Sequence, residues 1–174
     1  MKWRNHRLTS GAIVFALTGH LLPAICAASG SIFPDAIEGR SYSSHSWQKH
    51  HRRESHYLPA YLIFCLLLWL LSPRQNAVWN FSFQSIPALL NLRALFPLII
   101  YISFWFFIGS ILHILEDALC GKVPIYSIHH RIGIRLFYVG TEREYVTTYL
   151  LVGTFLLLRV IISFFTPISF FQGI

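Results

Sequence analysis

The stretch Ile111–Gly121, ILHILEDALCG, determines how the rest of this chain is interpreted, because it closes a long apolar run with three ionisable side chains. These are His113, Glu116 and Asp117. Ionisable groups are costly in hydrocarbon and therefore need partners or a cavity. His113 and Asp117 are four residues apart, so on a helix they share one face and can bind a divalent metal together. A His–Asp hydrogen bond that joins two helices explains the same stretch, and the stretch alone leaves both interpretations open.

The composition indicates a membrane protein with several spans. The chain has 174 residues, of which 55% are hydrophobic and only 12% charged, and its mean hydropathy is +0.54. A length of this order predicts a single domain, here residues 1–174. The formal net charge is +7. Basic residues beside apolar spans are typical of membrane topology and anionic lipid, and no basic stripe with interleaved aromatic residues indicates nucleic-acid binding. The three cysteines have no close pairing and are interpreted as packing residues.

The apolar runs predict an all-α integral membrane protein with about four apolar helices. The runs cover residues 8–33, 58–71, 95–119 and 146–165. The second is short for a full span, which needs ~20 residues. The basic start of the chain also resembles a signal peptide. The interruption at Gly19–Pro23 and the continuation to Phe33 favour a first membrane helix that is broken there.

The polar loop of residues 34–57 holds four of the nine histidines and is the densest cluster of potential metal ligands. If each apolar run crosses the membrane once, this loop lies on the same side as the end of the third run. Ligands from the two regions then lie within reach of one another: Asp35, His51, His56, His113 and Asp117. Imidazole and carboxylate ligands from separate elements suit Zn or a similar divalent ion.

Four motifs in this order resemble a known family. They are NHRLTSG near the start, GSIFPDAIEG, HRRESH and LHILED. Together they resemble the YdjM-type family of predicted membrane-bound metal-dependent hydrolases, which is distantly similar to zinc-dependent phospholipase C, an all-helical phosphoester hydrolase. The likeness covers most of residues 5–140 and implies a multi-pass protein of the bacterial inner membrane. It implies these metal ligands: His6, Asp35, His51, His56, His113 and Asp117. Two positions depart from the family pattern, with Ile37 in place of a second aspartate and Arg53 in place of a small residue.

The position of His6 raises a geometric question. A continuous helix from Arg7 to Phe33 would be ~40 Å long, against ~30 Å for the hydrocarbon core. His6 would then lie on the opposite side from Asp35. Either the first segment folds back at Gly19–Pro23, or His20 replaces His6 as the N-terminal ligand.

The resemblance implies a hydrolase that acts through a metal-activated water. A site at the membrane face with basic neighbours favours a phosphoester or lipid-like substrate. Glu38, Glu54 or Glu116 could serve as the general base. Arg52 or Arg53 could bind an anionic phosphate through bidentate hydrogen bonds. The expected partners are membrane lipid and a small-molecule or lipid substrate.

Two alternatives compete with the hydrolase. One is a non-enzymatic membrane protein with a structural or regulatory metal site. The other is a small ion transporter in which His113, Asp117 and Arg159 form an intramembrane path. A transporter requires these residues near the middle of the bilayer, whereas an enzyme requires its site at one membrane face.

Overall fold

The computed structural model describes residues 1–38, 55–72, 92–124 and 129–165, and this part of the chain is mostly helical, as predicted. Its helices are α1 (Trp3–Thr18), α2 (Leu21–Gly30), α3 (Phe33–Glu38), α4 (Leu58–Leu71), α5 (Leu92–Cys120) and α6 (Glu142–Phe165). A short antiparallel strand pair between α5 and α6 is formed by β1 (Val123–Pro124) and β2 (Arg131–Ile132).

The first apolar segment is broken where the sequence predicts. Gly19 adopts a φ of 75°, in the left-handed region that favours glycine, and its N–H donates to the carbonyl of Phe15 at 2.8 Å. After this turn, α2 runs back along α1, and a Cβ added at Gly11 would lie 3.5 Å from that of Ala28. The segment therefore doubles back, and its two ends come to the same end of the protein.

Two helices in the described part of the chain are long and apolar enough to cross a membrane: Leu95–Cys120 and Glu142–Phe165. The other apolar helices are shorter. Helices α1, α2 and α4 have 16, 10 and 14 residues, which is ~24, ~15 and ~21 Å. Because the turn at Gly19 divides the first segment, neither half matches the ~30 Å hydrocarbon core. The predicted number of four crossings remains a prediction.

Helix α5 is the centre of the bundle, and its close approach to α2 depends on small residues. A Cβ added at Gly30 would lie 1.8 Å from the carbonyl oxygen of Phe106, and one added at Gly109 would lie 2.0 Å from that of Ala27. The hydroxyl of Ser110 donates to the carbonyl of Gly30 at 2.9 Å. Small residues with a cross-helix hydrogen bond are typical of helix pairs in membranes. This contact holds the end of α2 against α5 and so positions α3, which follows it.

The interior beside this contact is aromatic and apolar. Tyr101, Phe104 and Trp105 of α5 pack with Cys26 of α2 and Cys65 of α4. The three cysteines are buried and form no disulfide with one another, in agreement with their interpretation as packing residues. Helix α6 packs on α1 and leaves most of its apolar side chains exposed, as expected for a helix that faces lipid.

Candidate metal centre

Four side chains from three parts of the fold converge at one end of the bundle. Asp35 lies in the first turn of α3, His56 lies just before α4, and His113 and Asp117 lie near the end of α5. The last two are separated by one helical turn, as the spacing predicts. One ligand atom from each of the four lies within 4.8 Å of all the others. His56, His113 and Asp117 are at most 1% exposed.

The spacing of these atoms suits a tetrahedral metal ion. The Nε2 atoms of His56 and His113 are 3.2 Å apart. Asp35 Oδ1 lies 3.4 and 3.5 Å from these two nitrogens, and Asp117 Oδ2 lies 3.5 and 3.7 Å from them. Ligands at ~2.0–2.1 Å in a tetrahedron around zinc are separated by ~3.3 Å. The donor set therefore matches a divalent metal in both chemistry and size.

Asp35 is held so that one oxygen faces the cluster. Its Oδ2 accepts a hydrogen bond from Trp3 Nε1 at 2.9 Å. Its Oδ1 is buried and has no hydrogen-bond partner among the described residues. The same atom faces the Nε2 atoms of His56 and His113 at 3.4 and 3.5 Å. It therefore lies among the other candidate ligand atoms, in a position from which it could bind a cation.

His6 lies directly beside the four and is fully buried. Its ring centroid is 3.9 Å from that of His113, and its Nε2 is 3.3 Å from Asp117 Oδ1. No hydrogen bond to this Nε2 is present in the described part of the chain. His20 lies instead at the turn between α1 and α2, where its N–H donates to Thr18 Oγ1 at 3.2 Å. The hairpin thus brings His6, and not His20, to the cluster.

Two carboxylates that the sequence suggests as general bases lie behind histidine rings. Glu116 Oε2 is 2.6 Å from His6 Nδ1, and its Oε1 accepts from Ser10 at 2.9 Å. Glu38 lies 3.3 Å from His56 Nδ1 and accepts a hydrogen bond from Ser55. A carboxylate in this position orients the imidazole and raises its basicity as a ligand. For Glu116, which is only 4% exposed, these contacts favour a supporting role.

Contacts between the histidines and carboxylates of the cluster shift the pKa values of His56 and Asp35 toward the charged forms. Burial alone would lower the pKa of His56, but contacts with Asp117, Asp35 and Glu38 raise it to about 10. Burial alone would raise the pKa of Asp35, but its contacts with His113 and His56 outweigh burial and hold it below its ordinary value. In the metal-free site the carboxylate is therefore ionised, and His56 carries a proton that a metal ion must displace.

A buried carboxylate that the sequence analysis missed fastens α6 to the start of α1. Glu144 is fully buried and accepts hydrogen bonds from the backbone N–H of Lys2 at 2.6 Å and from Asn5 Nδ2 at 2.7 Å. Asn5 precedes His6 in the chain. The sequence signal that could have identified Glu144 is its position as an acidic residue in the first turn of an apolar helix. The predicted last span begins only at Val146, so Glu144 fell just outside it.

The amino group of Met1 lies at the same end of the bundle, where it donates to Asp117 Oδ1 at 2.6 Å. Four other predicted site residues, His51, Arg52, Arg53 and Glu54, lie outside the described residues. Their roles as a metal ligand, two phosphate-binding groups and a general base remain predictions.

The fold and the cluster define a class of protein: a helical membrane protein with a buried site of imidazoles and carboxylates at one end of its bundle. The chain belongs to the YdjM inner membrane protein family, which it matches over residues 1–167. This confirms the resemblance carried by the four sequence motifs. No curated protein and no solved structure gave a match.

Proposed function

We propose that this protein is a membrane-bound metal-dependent hydrolase of the bacterial inner membrane, acting on a phosphoester or lipid-like substrate. The observation that carries the proposal is the group of Asp35, His56, His113 and Asp117, whose facing atoms have the separations of a tetrahedral metal site. Asp35 Oδ1 is buried, accepts no hydrogen bond from the described residues and faces both imidazoles, which supports a cation at the centre of the group. Zn is the preferred ion for two imidazoles and two carboxylates.

If these four residues hold a divalent ion, the ion would need a fifth, open position to supply a water with its pKa lowered toward ~7 as the nucleophile. The protein residues would bind the ion and fix the rings of the histidines. Glu116 would hold the ring of His6. We assign the general base to Glu38, because its side chain is 13% exposed, against 5% for Glu116, and lies at the edge of the cluster. Arg52 and Arg53 would bind the phosphate of the substrate.

The position of the cluster favours an enzyme over the transporter. Asp117 lies three residues and His113 seven residues before the end of α5, which is ~5 and ~10 Å along the helix axis. The site is therefore close to one membrane face, where a substrate from the membrane or from solution can reach it. An ion path needs ionisable groups nearer the bilayer centre.

The distribution of basic residues favours the cytoplasm for this face. Seven basic residues of the described part belong to elements at the site end: Lys2, Arg4, Arg7, Lys122, Arg131, Arg135 and Arg143. Two basic residues of the described part lie at the other end: Arg159, next to Gly19, and Arg93, in the first turn of α5. Because cytoplasmic segments are enriched in Lys and Arg, we infer that the protein is multi-pass with its site at the cytoplasmic face.

The metal site is tested by metal content and hydrolysis in purified variants. Asp117→Asn keeps the shape of the side chain but removes an anionic ligand, and His113→Ala removes an imidazole. Both should lower bound metal more than the ~10–100-fold that is usual for residues behind the ligands. Metal is measured by mass spectrometry after dialysis, and hydrolysis with a chromogenic phosphodiester in detergent.

His20→Ala is the matched control, because His20 belongs to the same segment as His6 but lies at the opposite end of α1 and its side chain makes no capping hydrogen bond. It should keep the metal content of the wild type. Equal metal content in all four proteins would refute the metal site. Stoichiometric metal without any phosphoesterase activity would instead support the structural or regulatory site.

A further inference from the structure

We propose that the segment of residues 129–143 is a binding site for anionic phospholipid headgroups, separate from the metal centre. The segment lies between β1 and the start of α6, and it combines exposed apolar side chains with arginines around a groove. The proposal does not depend on hydrolase activity.

The segment is fixed to the end of α5 from within. The N–H of Ile134 donates to the carbonyl of Ala118 at 2.7 Å, and the N–H of Leu136 donates to that of Leu119 at 2.9 Å. The ring of Phe137 is 2% exposed and packs with Cys120. The segment is therefore an ordered surface next to Asp117, although it contains little regular secondary structure.

The outer surface of the segment is unusually apolar for a loop at the end of a helix bundle. The exposed fractions of five large apolar side chains range from 49% to 64%: Ile132, Ile134, Leu136, Tyr138 and Val139. Exposed apolar residues at this density mark a surface that contacts a partner or a membrane. Helix α6 begins at Glu142 and continues the exposed apolar surface with Val146 and Leu150. Continuity with a membrane helix identifies the partner as lipid, since the segment must lie where α6 enters the bilayer.

The groove between this segment and α6 has the charge and size for a headgroup. Its volume is about 510 Å³, within the ~300–1,000 Å³ range of ligand sites. Arg135 and Arg143 line it with Thr141, while Glu142 offsets one of the two positive charges. The guanidinium of Arg135 lies 5.6 Å from the centre of the Tyr138 ring, which orients it. Arg131 adds a third cation on the same segment. Aromatic and arginine side chains beside apolar ones are typical of the headgroup level of a membrane.

The test is lipid binding to the purified, delipidated full chain by native mass spectrometry, with phosphatidylglycerol, phosphatidylcholine and inorganic phosphate as probes. The wild type should bind phosphatidylglycerol in preference to phosphatidylcholine. The double variant Arg135→Gln, Arg143→Gln should bind phosphatidylglycerol about thirtyfold more weakly, since each arginine near an anionic surface contributes about fivefold. Arg7→Gln is the matched control, because Arg7 is exposed at the same end of the bundle but lies outside the groove, and it should change binding less than twofold.

Three results would overturn the proposal. The first is equal phosphatidylglycerol affinity in the double variant and the wild type. The second is full competition by millimolar inorganic phosphate, which would indicate a site for a free anion. The third is a concentration-dependent dimer that the double variant loses, which would assign this surface to a second copy of the chain. Unchanged metal content in the double variant would separate a loss of lipid binding from damage to the metal centre.

Discussion

Substituting Glu144 by glutamine should destabilise the protein markedly, although no metal ligand is changed. The carboxylate accepts from the backbone of Lys2, the amide of Asn5 and the backbone of Gly140, and it is fully buried. Glutamine retains one acceptor oxygen, but its NH₂ group would face a backbone N–H. At least one hydrogen bond to a charged acceptor is lost, which costs about 1.5–3 kcal/mol. The effect is local to the junction of α1 and α6.

The assay is thermal unfolding in detergent, followed by intrinsic tryptophan fluorescence. For a chain of this size, each kcal/mol shifts Tm by about 2–4 °C, so the expected loss is about 3–12 °C. Glu142→Gln is the control, since Glu142 lies on the same helical turn but is exposed, and it should change stability by no more than about 0.5 kcal/mol. Equal Tm values for Glu144→Gln and Glu142→Gln would refute the assignment of Glu144 as the fastening residue.

Three further outcomes are expected. Glu116→Gln should weaken metal binding by about 10–100-fold through His6, measured by competition with a chelator, whereas a residue that is only a general base would lose activity at unchanged metal affinity. Gly109→Ala should lower the free energy of unfolding by about 1–3 kcal/mol, because the added Cβ would lie 2.0 Å from a backbone oxygen of α2. Gly153→Ala is the control: a Cβ at Gly153 would meet no atom within 4 Å, so this variant should be neutral or mildly stabilising in the same thermal assay. Metal affinity should rise with pH, because the pKa of His56 is raised to about 10 and each bound ion must displace the proton of His56. Calorimetry in buffers of different ionisation enthalpy should detect about one proton released per ion at neutral pH. A pH-independent affinity would contradict this expectation.

The helices could be predicted because apolar runs and glycine turns are local signals. The run from Leu95 to Leu119 became α5, and the interruption at Gly19–Pro23 became a reversal of the chain. The number of crossings could not be predicted in the same way. A turn that divides an apolar run leaves the composition of the run unchanged, but each half is then too short to span the bilayer. Composition therefore does not show whether such a run crosses the membrane.

The sequence also predicted that Asp35 and His56 would lie near the end of α5, on the assumption that each apolar run crosses the membrane once. The roles of the surrounding carboxylates could not be predicted in this way. Glu116 and His6 are 110 residues apart, and no local pattern pairs them. The pairing depends on how α1 lies against α5. That position follows from the hairpin of α1 with α2 and from the close contact of α2 with α5 at Gly30 and Gly109, not from the spacing of charged residues.

The reversal at Gly19 has a consequence for how the protein enters its membrane. Because α1 starts and α2 ends at the same end of the bundle, the basic residues Lys2, Arg4 and Arg7 need not be translocated if that end faces the cytoplasm, as we propose. Carrying each through the bilayer centre would cost about 2.5–3.5 kcal/mol on insertion scales. With that orientation, the hairpin can be inserted from the side on which the ribosome works. His6 meets Glu116 only after α5 has been synthesised, so this part of the candidate metal centre forms later than the hairpin.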